Sequence, residues 1–508
     1  MQGAFLRLIS ALALTWVCSL PAPSVAQTPA DDAANTAWQL KAILHAQRMR
    51  AFHDADTGTQ STPPVIGQNT TDADPSGTIS TYQPGGNTQT SGSPFFQNLG
   101  TNERTCFTCH QPQTGWSVSA QNVQDRFNAS SGADPIFRLV DGATCPSDDV
   151  SSIEKKLQAY SLLLSKGLIR IGLPIPANAD PDFQISVMSD PYGCNTNPST
   201  NTNPVTGLPN GIVSIYRRPL PSTNLGFLDP EDATLTNRNA IMWDGREPTL
   251  EKQAVDATLI HAQADGSGPS AAQQQEIVNF EMGLFTAQSF DNAAQDLDAL
   301  GATGGPVNLQ SQLADFFPGI NDPFGLNPKG TQFSSTIFNL FQAWSSPPGK
   351  GAVKIDRESV ARGETVFNTT TINITDVKGI NDVLGKPLSG FCGTCHDDPN
   401  VGNHSVKAPL NIGIADPSPP ALDVSGLPQF MVCGVVVTDP GRALISGKCA
   451  DVGKFKGPIL RGLAARAPYF HNGSAATLID VVNFYDQRFN IGFTDQQKQD
   501  LVNFLNTL

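Results

Sequence analysis

Apolar positions recur at helical spacing between Thr249 and about Trp344, and this pattern predicts a helical block. Its clearest helix begins after Ser270, a favourable N-cap residue, and carries one apolar face. That face consists of Ile277, Phe280, Leu284 and Ala287. A further helical stretch is predicted from Thr36 to Phe52. These patterns favour a fold that is mainly α.

Two more helices with N-terminal caps are predicted near the end of the chain. The first follows Thr477, and its apolar stripe has the spacing i, i+3, i+4 and i+7. The stripe consists of Leu478, Val481, Val482 and Tyr485. The second follows Thr494, which can form a capping box with Gln497. The stripe predicts that Tyr485 points into the protein.

Turn-forming residues separate these helical regions. Residues 57–95 are rich in Gly, Ser, Thr, Asn and Pro without apolar periodicity, which predicts a loop that wraps the surface. Residues 111–236 are predicted to be irregular with a few short helices, and residues 345–349 to be an interdomain linker. The expected parts are a signal peptide (1–26), an N-terminal extension that is partly loop (27–95), and two domains (96–345 and 350–508) joined by long irregular loops.

The first residues have the organisation of an export signal. Arg7 precedes a mostly apolar stretch, and small residues at 24–26 predict cleavage near Ala26. The stretch is too short for a membrane anchor, and no later stretch is long and apolar enough to span a bilayer. We therefore expect a periplasmic protein without a membrane span. Its net charge of -14 argues against nucleic acid as a partner.

The chain has nine cysteines, of which Cys18 lies inside the predicted signal. Four others belong to the two motifs described below, and four remain. Those four are Cys145, Cys194, Cys433 and Cys449. An even remainder in an exported protein indicates disulfides, and proximity in sequence favours Cys145–Cys194 and Cys433–Cys449 among the three pairings.

Two motifs of the form Cys-x-x-Cys-His carry the clearest chemical signal. They are Cys106-Phe107-Thr108-Cys109-His110 and Cys392-Gly393-Thr394-Cys395-His396. Two thiols on one turn can reach both vinyl groups of a porphyrin, and the adjacent imidazole can bind its iron. A single motif would leave a zinc site or a redox dithiol open. Two motifs that both end in His, behind an export signal, favour two covalent c-type haems.

Few other histidines are available as second iron ligands. The mature chain contains His45, His53, His261, His404 and His471 besides the motif histidines. None lies between His110 and His261, so we expect no sequence-near distal histidine at the first haem. An iron with an open position permits peroxide or oxygen chemistry, whereas a filled one favours electron transfer.

Three further segments resemble the bacterial di-haem cytochrome c peroxidase family, which includes MauG. They are residues 242–246 (Met-Trp-Asp-Gly-Arg), residues 455–461 (Phe-Lys-Gly-Pro-Ile-Leu-Arg) and residues 467–474 (Ala-Pro-Tyr-Phe-His-Asn-Gly-Ser). Their order around the two motifs is more specific than any one of them. The resemblance covers about Phe96 to Leu508 and implies two cytochrome c-like domains whose haems lie near the domain interface.

The resemblance also implies cofactors and partners. The His110 haem would be the peroxidatic one, and the His396 haem would receive electrons from a small cytochrome c or a cupredoxin. Arg246 and Arg461 would pair with haem propionates, with a role as surface charges as the alternative. A calcium ion would lie between the domains, bound by backbone carbonyls of the Arg466-Ala467-Pro468 segment.

Glu251 matches the acid that the family places near the first iron, where cleavage of a peroxide bond requires a proton to move between its oxygens. The alternative is a solvated Glu in the first turn of a helix capped by Thr249, where the helix dipole favours it. The family often has Gln where this chain has Ile241, which leaves the details of the pocket open.

Tyr485 matches the position of the second ligand of the C-terminal haem, which is Met in the peroxidases and Tyr in MauG. A phenolate stabilises higher oxidation states of iron better than a thioether does. The alternative is a core tyrosine, with Met431 as the ligand.

The expected function is a periplasmic di-haem peroxidase-like oxidoreductase that reduces hydrogen peroxide at the first haem. Two alternatives remain at this point. One is a MauG-like oxidase that modifies a protein or organic substrate, and the other is a di-haem electron-transfer cytochrome. The sequence leaves the oligomeric state open.

Overall fold

The computed structural model describes residues 62–196, 211–228 and 241–508. The predicted signal peptide and the predicted Thr36–Phe52 helix lie outside these residues. Residues Thr57–Leu508 form one compact unit. Its α-helices are α1 (Ala120–Ser130), α2 (Ile153–Ala159), α3 (Ser161–Lys166), α4 (Leu250–Ile260), α5 (Ala271–Met282), α6 (Pro306–Ser311), α7 (Ala352–Thr369), α8 (Asn381–Leu384), α9 (Ala443–Ser446), α10 (Leu478–Phe489) and α11 (Asp495–Asn506).

The described residues also contain many short strands, so a mainly α fold is not confirmed. These are β1 (Val65–Ile66), β2 (Asn69–Asp74), β3 (Gly77–Tyr82), β4 (Thr88–Gln89), β5 (Ile169–Pro174), β6 (Ile185–Ser189), β7 (Ile212–Arg217), β8 (Phe285–Asp291), β9 (Gln295–Asp296), β10 (Ile372–Ile374), β11 (Leu388–Gly390), β12 (Gln429–Val432) and β13 (Val435–Val437). All pairings between them are antiparallel.

The prediction of a loop over residues 57–95 is wrong for the segment that forms β1 to β4. Strands β2, β3, β8 and β9 form one sheet in that order, so β3 pairs with a strand some 200 residues away in sequence. Hydroxyl side chains bond across this sheet, for example Thr81 with Thr286 at 2.9 Å and Ser80 with Ser289 at 2.7 Å. Polar β-branched residues suit such a sheet although they lack an apolar period.

The two predicted domains share a sheet. Strand β12, from the predicted C-terminal domain, pairs with β6 from the predicted N-terminal domain, in the order β13-β12-β6. Both predicted disulfides are confirmed, Cys145–Cys194 and Cys433–Cys449. Strand β6 follows the first Cys-x-x-Cys-His motif in sequence, and β12 follows the second. Because backbone hydrogen bonds join these two strands, this sheet connects the two predicted domains.

The helices predicted from the C-terminal pattern are confirmed with their caps. Thr477 and Thr494 each form a capping box at the start of α10 and α11. Helix α11 packs on α7 so closely that a Cβ atom on Gly363 would lie 2.0 Å from the Asp500 carbonyl oxygen. The aromatic rings of Phe338, Phe367 and Phe504 fill the core beside them.

The predicted helical block after Thr249 is only partly confirmed. Thr249 and Ser270 cap α4 and α5 as predicted. Helix α5 ends at Met282, however, so Leu284 and Ala287 lie beyond it and Ala287 belongs to β8. Helical spacing alone does not mark this end, because Gly283 stops the helix and the strand that follows is equally apolar.

Candidate functional site

The first Cys-x-x-Cys-His motif forms a tight turn. Residues Cys106–Thr108 are a 3₁₀ helix, and the Thr108 hydroxyl accepts a hydrogen bond from the Thr105 N–H at 3.0 Å. The His110 N–H donates to the Cys106 carbonyl at 3.0 Å. This turn brings both sulfur atoms and the imidazole to the wall of one cavity.

The second motif repeats this local geometry. Residues Cys392–Thr394 are a 3₁₀ helix, and the Thr394 hydroxyl accepts from the Phe391 N–H at 2.9 Å. The His396 N–H donates to the Cys392 carbonyl at 3.1 Å. Both sulfur atoms and the imidazole line a second cavity.

Each motif histidine is oriented by a carbonyl six residues further along the chain. The Nδ1 atom of His110 lies 2.8 Å from the Trp116 oxygen, and that of His396 lies 2.7 Å from the Gly402 oxygen. A carbonyl only accepts, so Nδ1 carries the proton and Nε2 of the neutral ring keeps its lone pair. Burial lowers the pKa of both histidines, which favours the neutral ring. An imidazole held in this way is suited to bind a metal through Nε2.

Buried cations without anionic partners lie along the same cavities. Arg461 lines the first cavity, and Lys456 and Arg218 line both. Within the described residues none of the three forms an ion pair, and the Nε and Nη2 atoms of Arg461 are buried without a hydrogen-bond acceptor. Burial lowers the pKa of Lys456 to about 8. Such charges require a bound anion, and the propionates of a haem would supply it. The residues therefore fit a covalent c-type haem in each cavity.

The two cavities share part of their walls. The shared residues are Arg218, Pro219, Leu220, Pro221, Trp243, Lys456 and Ile459. Trp243 is buried, and its indole N–H donates to the Arg218 carbonyl at 2.8 Å. The two candidate sites are therefore neighbours with an aromatic ring between them.

Comparisons with known proteins find cytochrome-c peroxidases among the relatives of this chain. A family model described as RoxA-like, cytochrome c-like, matches residues 454–491. Cytochrome-c peroxidase IdrP1 of Pseudomonas sp. (strain SCT) is 37% identical over 53% of this chain and 64% of its own length. Cytochrome-c peroxidase IdrP2 of Denitromonas iodatirespirans is 34% identical over 23% of this chain and 36% of its own length. Cytochrome c551 peroxidase of Nitrosomonas europaea is 26% identical over 46% of this chain and 64% of its own length.

Over these stretches the chain is similar to cytochrome-c peroxidases. The matched stretches span less than two thirds of these relatives' own lengths. A solved MauG-like protein associated with microbial copper homeostasis is 17% identical, with a TM-score of 0.30 over 61% of this chain and 76% of that one.

The acid predicted from the family match does not line the first cavity. Glu251 is half-buried in the first turn of α4, outside the cavity wall, whereas Gln253 on the same helix lies in it. The structure instead brings Glu281 of α5 into this wall. Burial raises the pKa of Glu281 to about 7, although a hydrogen bond with Ser222 lowers it. The Ser222 hydroxyl in turn lies 3.1 Å from Nδ1 of His110.

Glu281 is the functional candidate that the sequence interpretation missed. A signal for it existed, because it follows Ile277 by four residues and so lies on the apolar face of α5. Burial of an acid at such a position lowers the stability of the fold unless the acid is paired. An acid that is found there is therefore a candidate for a functional residue.

Tyr485 lines the second cavity together with His396. Within the described residues its hydroxyl has no hydrogen-bond partner, and burial raises its pKa, with a smaller contribution from the nearby motif thiols. Its ring packs against aromatic neighbours, with Phe489 stacked at 6.3 Å. Met431 lies in β12 and does not line this cavity. Tyr485 is therefore placed where it could bind the iron of a haem in this cavity, whereas Met431 is not.

The segment predicted to bind calcium does not fit a calcium ion. The Arg466 carbonyl accepts a hydrogen bond from the Arg218 guanidinium at 2.5 Å. The same guanidinium also donates to the Val118 carbonyl, and Arg218 is 6% exposed. The Arg218 guanidinium thus lies beside the Arg466 carbonyl, which is one of the two predicted calcium ligands. The carbonyl of Pro468 is the other one.

Other residues of the resemblance have simpler surroundings. Arg246 lines the first cavity but is paired with Asp244 at 3.1 Å, whereas Arg461 has free donors there. His471 lines neither cavity, stacks on Phe455 at 3.9 Å and lies 3.7 Å from Asp439. Of the two arginines, Arg461 is better placed to pair with a propionate.

Proposed function

We propose that this chain is a periplasmic di-haem c-type peroxidase-like oxidoreductase that reduces hydrogen peroxide at the His110 haem. The observation that carries the proposal is the repeated motif turn, with a carbonyl-oriented histidine on each of two adjacent cavities. The cytochrome-c peroxidase relatives support the same reaction.

In this proposal the two motif cysteines of each cavity would hold a haem through thioether bonds. Burial raises the pKa of the Cys392 and Cys395 thiols to about 12, so both are protonated at neutral pH. His110 and His396 would bind the two irons through Nε2. When bound, the haems supply the electron storage and the iron site that peroxide reduction requires.

Peroxide reduction consumes two electrons and two protons per molecule and releases two waters. A carboxyl group with a pKa near 7 can both hold and release a proton at neutral pH. Glu281 meets this condition and lines the first cavity. We therefore assign the proton transfer between the peroxide oxygens to Glu281, where the family match suggested Glu251.

Electrons would enter at the His396 haem from a small cytochrome c or a cupredoxin. Trp243, in the wall that both cavities share, lies on the path to the first haem. The export signal predicted for residues 1–26 supports a periplasmic location, where such donors occur. No helix within the described part of the chain is long and apolar enough to cross a bilayer.

The test is peroxide-dependent oxidation of a reduced small cytochrome c by the protein expressed in a periplasm. We expect turnover that requires both electrons and peroxide. The His396→Ala variant should retain the first haem but lose turnover with the cytochrome donor. A purified protein with two haems and no turnover with any small cytochrome or cupredoxin would contradict the proposal.

A second candidate is a MauG-like oxidase that modifies a protein or organic substrate. Tyr485 favours it, because an unbonded phenol faces the second cavity where the peroxidases have Met. Peroxide consumption that stays slow with small cytochromes, but leaves a long-lived oxidised state of the protein, would support this candidate. A ferric protein with no high-spin signal would instead support a plain electron-transfer cytochrome.

A further inference from the structure

One ionisable side chain of the first cavity also reaches solvent. His261 lines this cavity, and its side chain is 27% exposed. It follows directly after α4, whose inward residues Gln253, Ala254 and Ala257 line the same wall. His110 lines the same cavity. His261 therefore links the cavity with the surrounding water.

A buried carboxylate orients the His261 ring. Its Nδ1 atom lies 2.5 Å from Asp141 Oδ2. Burial alone would raise the pKa of Asp141, but the Arg104 guanidinium and His261 outweigh it and hold that pKa below its ordinary value. Asp141 is therefore ionised and accepts the Nδ1 proton, which leaves Nε2 of His261 free to accept or donate a proton.

The backbone around His261 is fixed as firmly as its ring. The His261 carbonyl accepts from the Asn102 amide at 2.8 Å and from Arg104 at 3.3 Å. Arg104 is itself held by the carbonyls of Pro135 and Ile136 at 2.8 and 2.6 Å. A partly exposed histidine with this many contacts has less freedom to move than an ordinary surface residue.

We infer that His261, positioned by Asp141, passes protons from solvent into the first cavity. The inference rests on the proposed function, since each peroxide reduced needs two protons from outside in addition to two electrons from the donor cytochrome. Glu281 is 4% exposed and therefore has little direct contact with bulk water. The charged groups beside His261 are Arg104 and Asp141, which also pair with each other.

The experiment compares His261→Gln and Asp141→Asn with the wild-type holoprotein in two assays. The first is peroxide turnover with a reduced small cytochrome c, for which we expect a fall of about tenfold or more in His261→Gln. The second is the rate at which cyanide binds the ferric protein, because hydrogen cyanide must give up its proton when it binds. We expect this rate to fall by a similar factor in His261→Gln.

Lys252→Gln is the matched control. Lys252 lies on α4, the helix that ends just before His261, and forms a surface ion pair with Asp256 at 2.5 Å. It should leave both rates unchanged. Unchanged rates in His261→Gln would overturn the inference, and so would a new high-spin signal in that variant, since His261 would then be an iron ligand. A wild-type protein without turnover would contradict the proposed function, whereas the cyanide assay would still test His261.

Discussion

The two candidate haem cavities begin from the same turn and differ in the ionisable groups of their walls. The first has a buried acid, an amide and an Asp-oriented histidine in its wall: Glu281, Gln253 and His261. The second is lined mostly by aliphatic and aromatic side chains, among which Tyr485 is a phenol without a hydrogen-bond partner in the described chain. Proton-transfer groups are thus concentrated at one site.

This difference indicates how one motif can serve two purposes. In the proposed function the turn would hold the haem and one iron ligand, and the rest of the wall would decide whether the iron meets a substrate or a second ligand. Peroxide chemistry needs proton donors, and the first cavity has Glu281 and His261 in its wall. Electron transfer is favoured by an iron with two protein ligands, and Tyr485 would supply the second one in the second cavity.

The largest expected effect comes from removing either pair of motif cysteines. Cys106→Ala with Cys109→Ala, or Cys392→Ala with Cys395→Ala, should lower the intact mass of the holoprotein by one haem. The wild-type mature chain should exceed its polypeptide mass by two haem groups. A wild-type mass increment of one haem or none would contradict the assignment of both sites.

The next effect distinguishes two carboxylates. Glu281→Gln should keep both haems and lower peroxide turnover by about 10²-fold or more. Glu251→Gln, on the half-buried start of α4, should leave turnover unchanged and serves as the matched control. The opposite result would return the acid role to Glu251.

The same carboxyl predicts a pH dependence. Because burial raises the pKa of Glu281 from 4.5 to about 7, its protonated form is present below pH 7 and is lost above it. The ionised form is the destabilised one, so Glu281 also lowers the stability of the fold as pH rises from about 4.5 to 7. In Glu281→Gln this part of the pH dependence of thermal unfolding should disappear.

The sequence predicted those features that depend on short stretches of chain. Capping by Thr249, Ser270, Thr477 and Thr494 needs only the residues within one turn, and all four caps are present. The disulfide partners are likewise close in sequence. The motif turns followed from spacing, although they proved to be 3₁₀ turns.

Features that depend on distant partners were not predicted. Strand β3 forms because β8 lies beside it, and nothing in residues 77–82 indicates that partner. Glu281 enters the first cavity from α5, far from the motif that suggested Glu251. The Arg218 side chain approaches the Arg466 carbonyl across 248 residues, which no local pattern reports.

Substitution of Tyr485 tests the closed nature of the second site. Tyr485→Phe should remove the second ligand and add a second high-spin signal to the ferric spectrum, with both haems retained. Tyr485→Met should raise the potential of the His396 haem, because a thioether favours ferrous iron. Met431→Leu is the control and should change neither property, since Met431 lies outside the cavity. An unchanged spectrum in Tyr485→Phe would defeat the ligand assignment.

The smallest expected effect is that of chelation, which should leave the protein unchanged. Arg218 donates to the carbonyls of Arg466 and Val118 and supplies a fixed positive charge where family resemblance implied calcium. A chelator such as EGTA should therefore shift neither the melting temperature nor the ferric spectrum of the wild type.

Arg218→Gln should unfold at a lower temperature, because two buried carbonyls lose a charged donor at a cost of about 1–3 kcal/mol each. Lys252→Gln, which breaks the surface ion pair with Asp256 at 2.5 Å, should cost about 1 kcal/mol or less. A wild type that loses calcium and stability together in EGTA would show that the guanidinium does not take the ion's place.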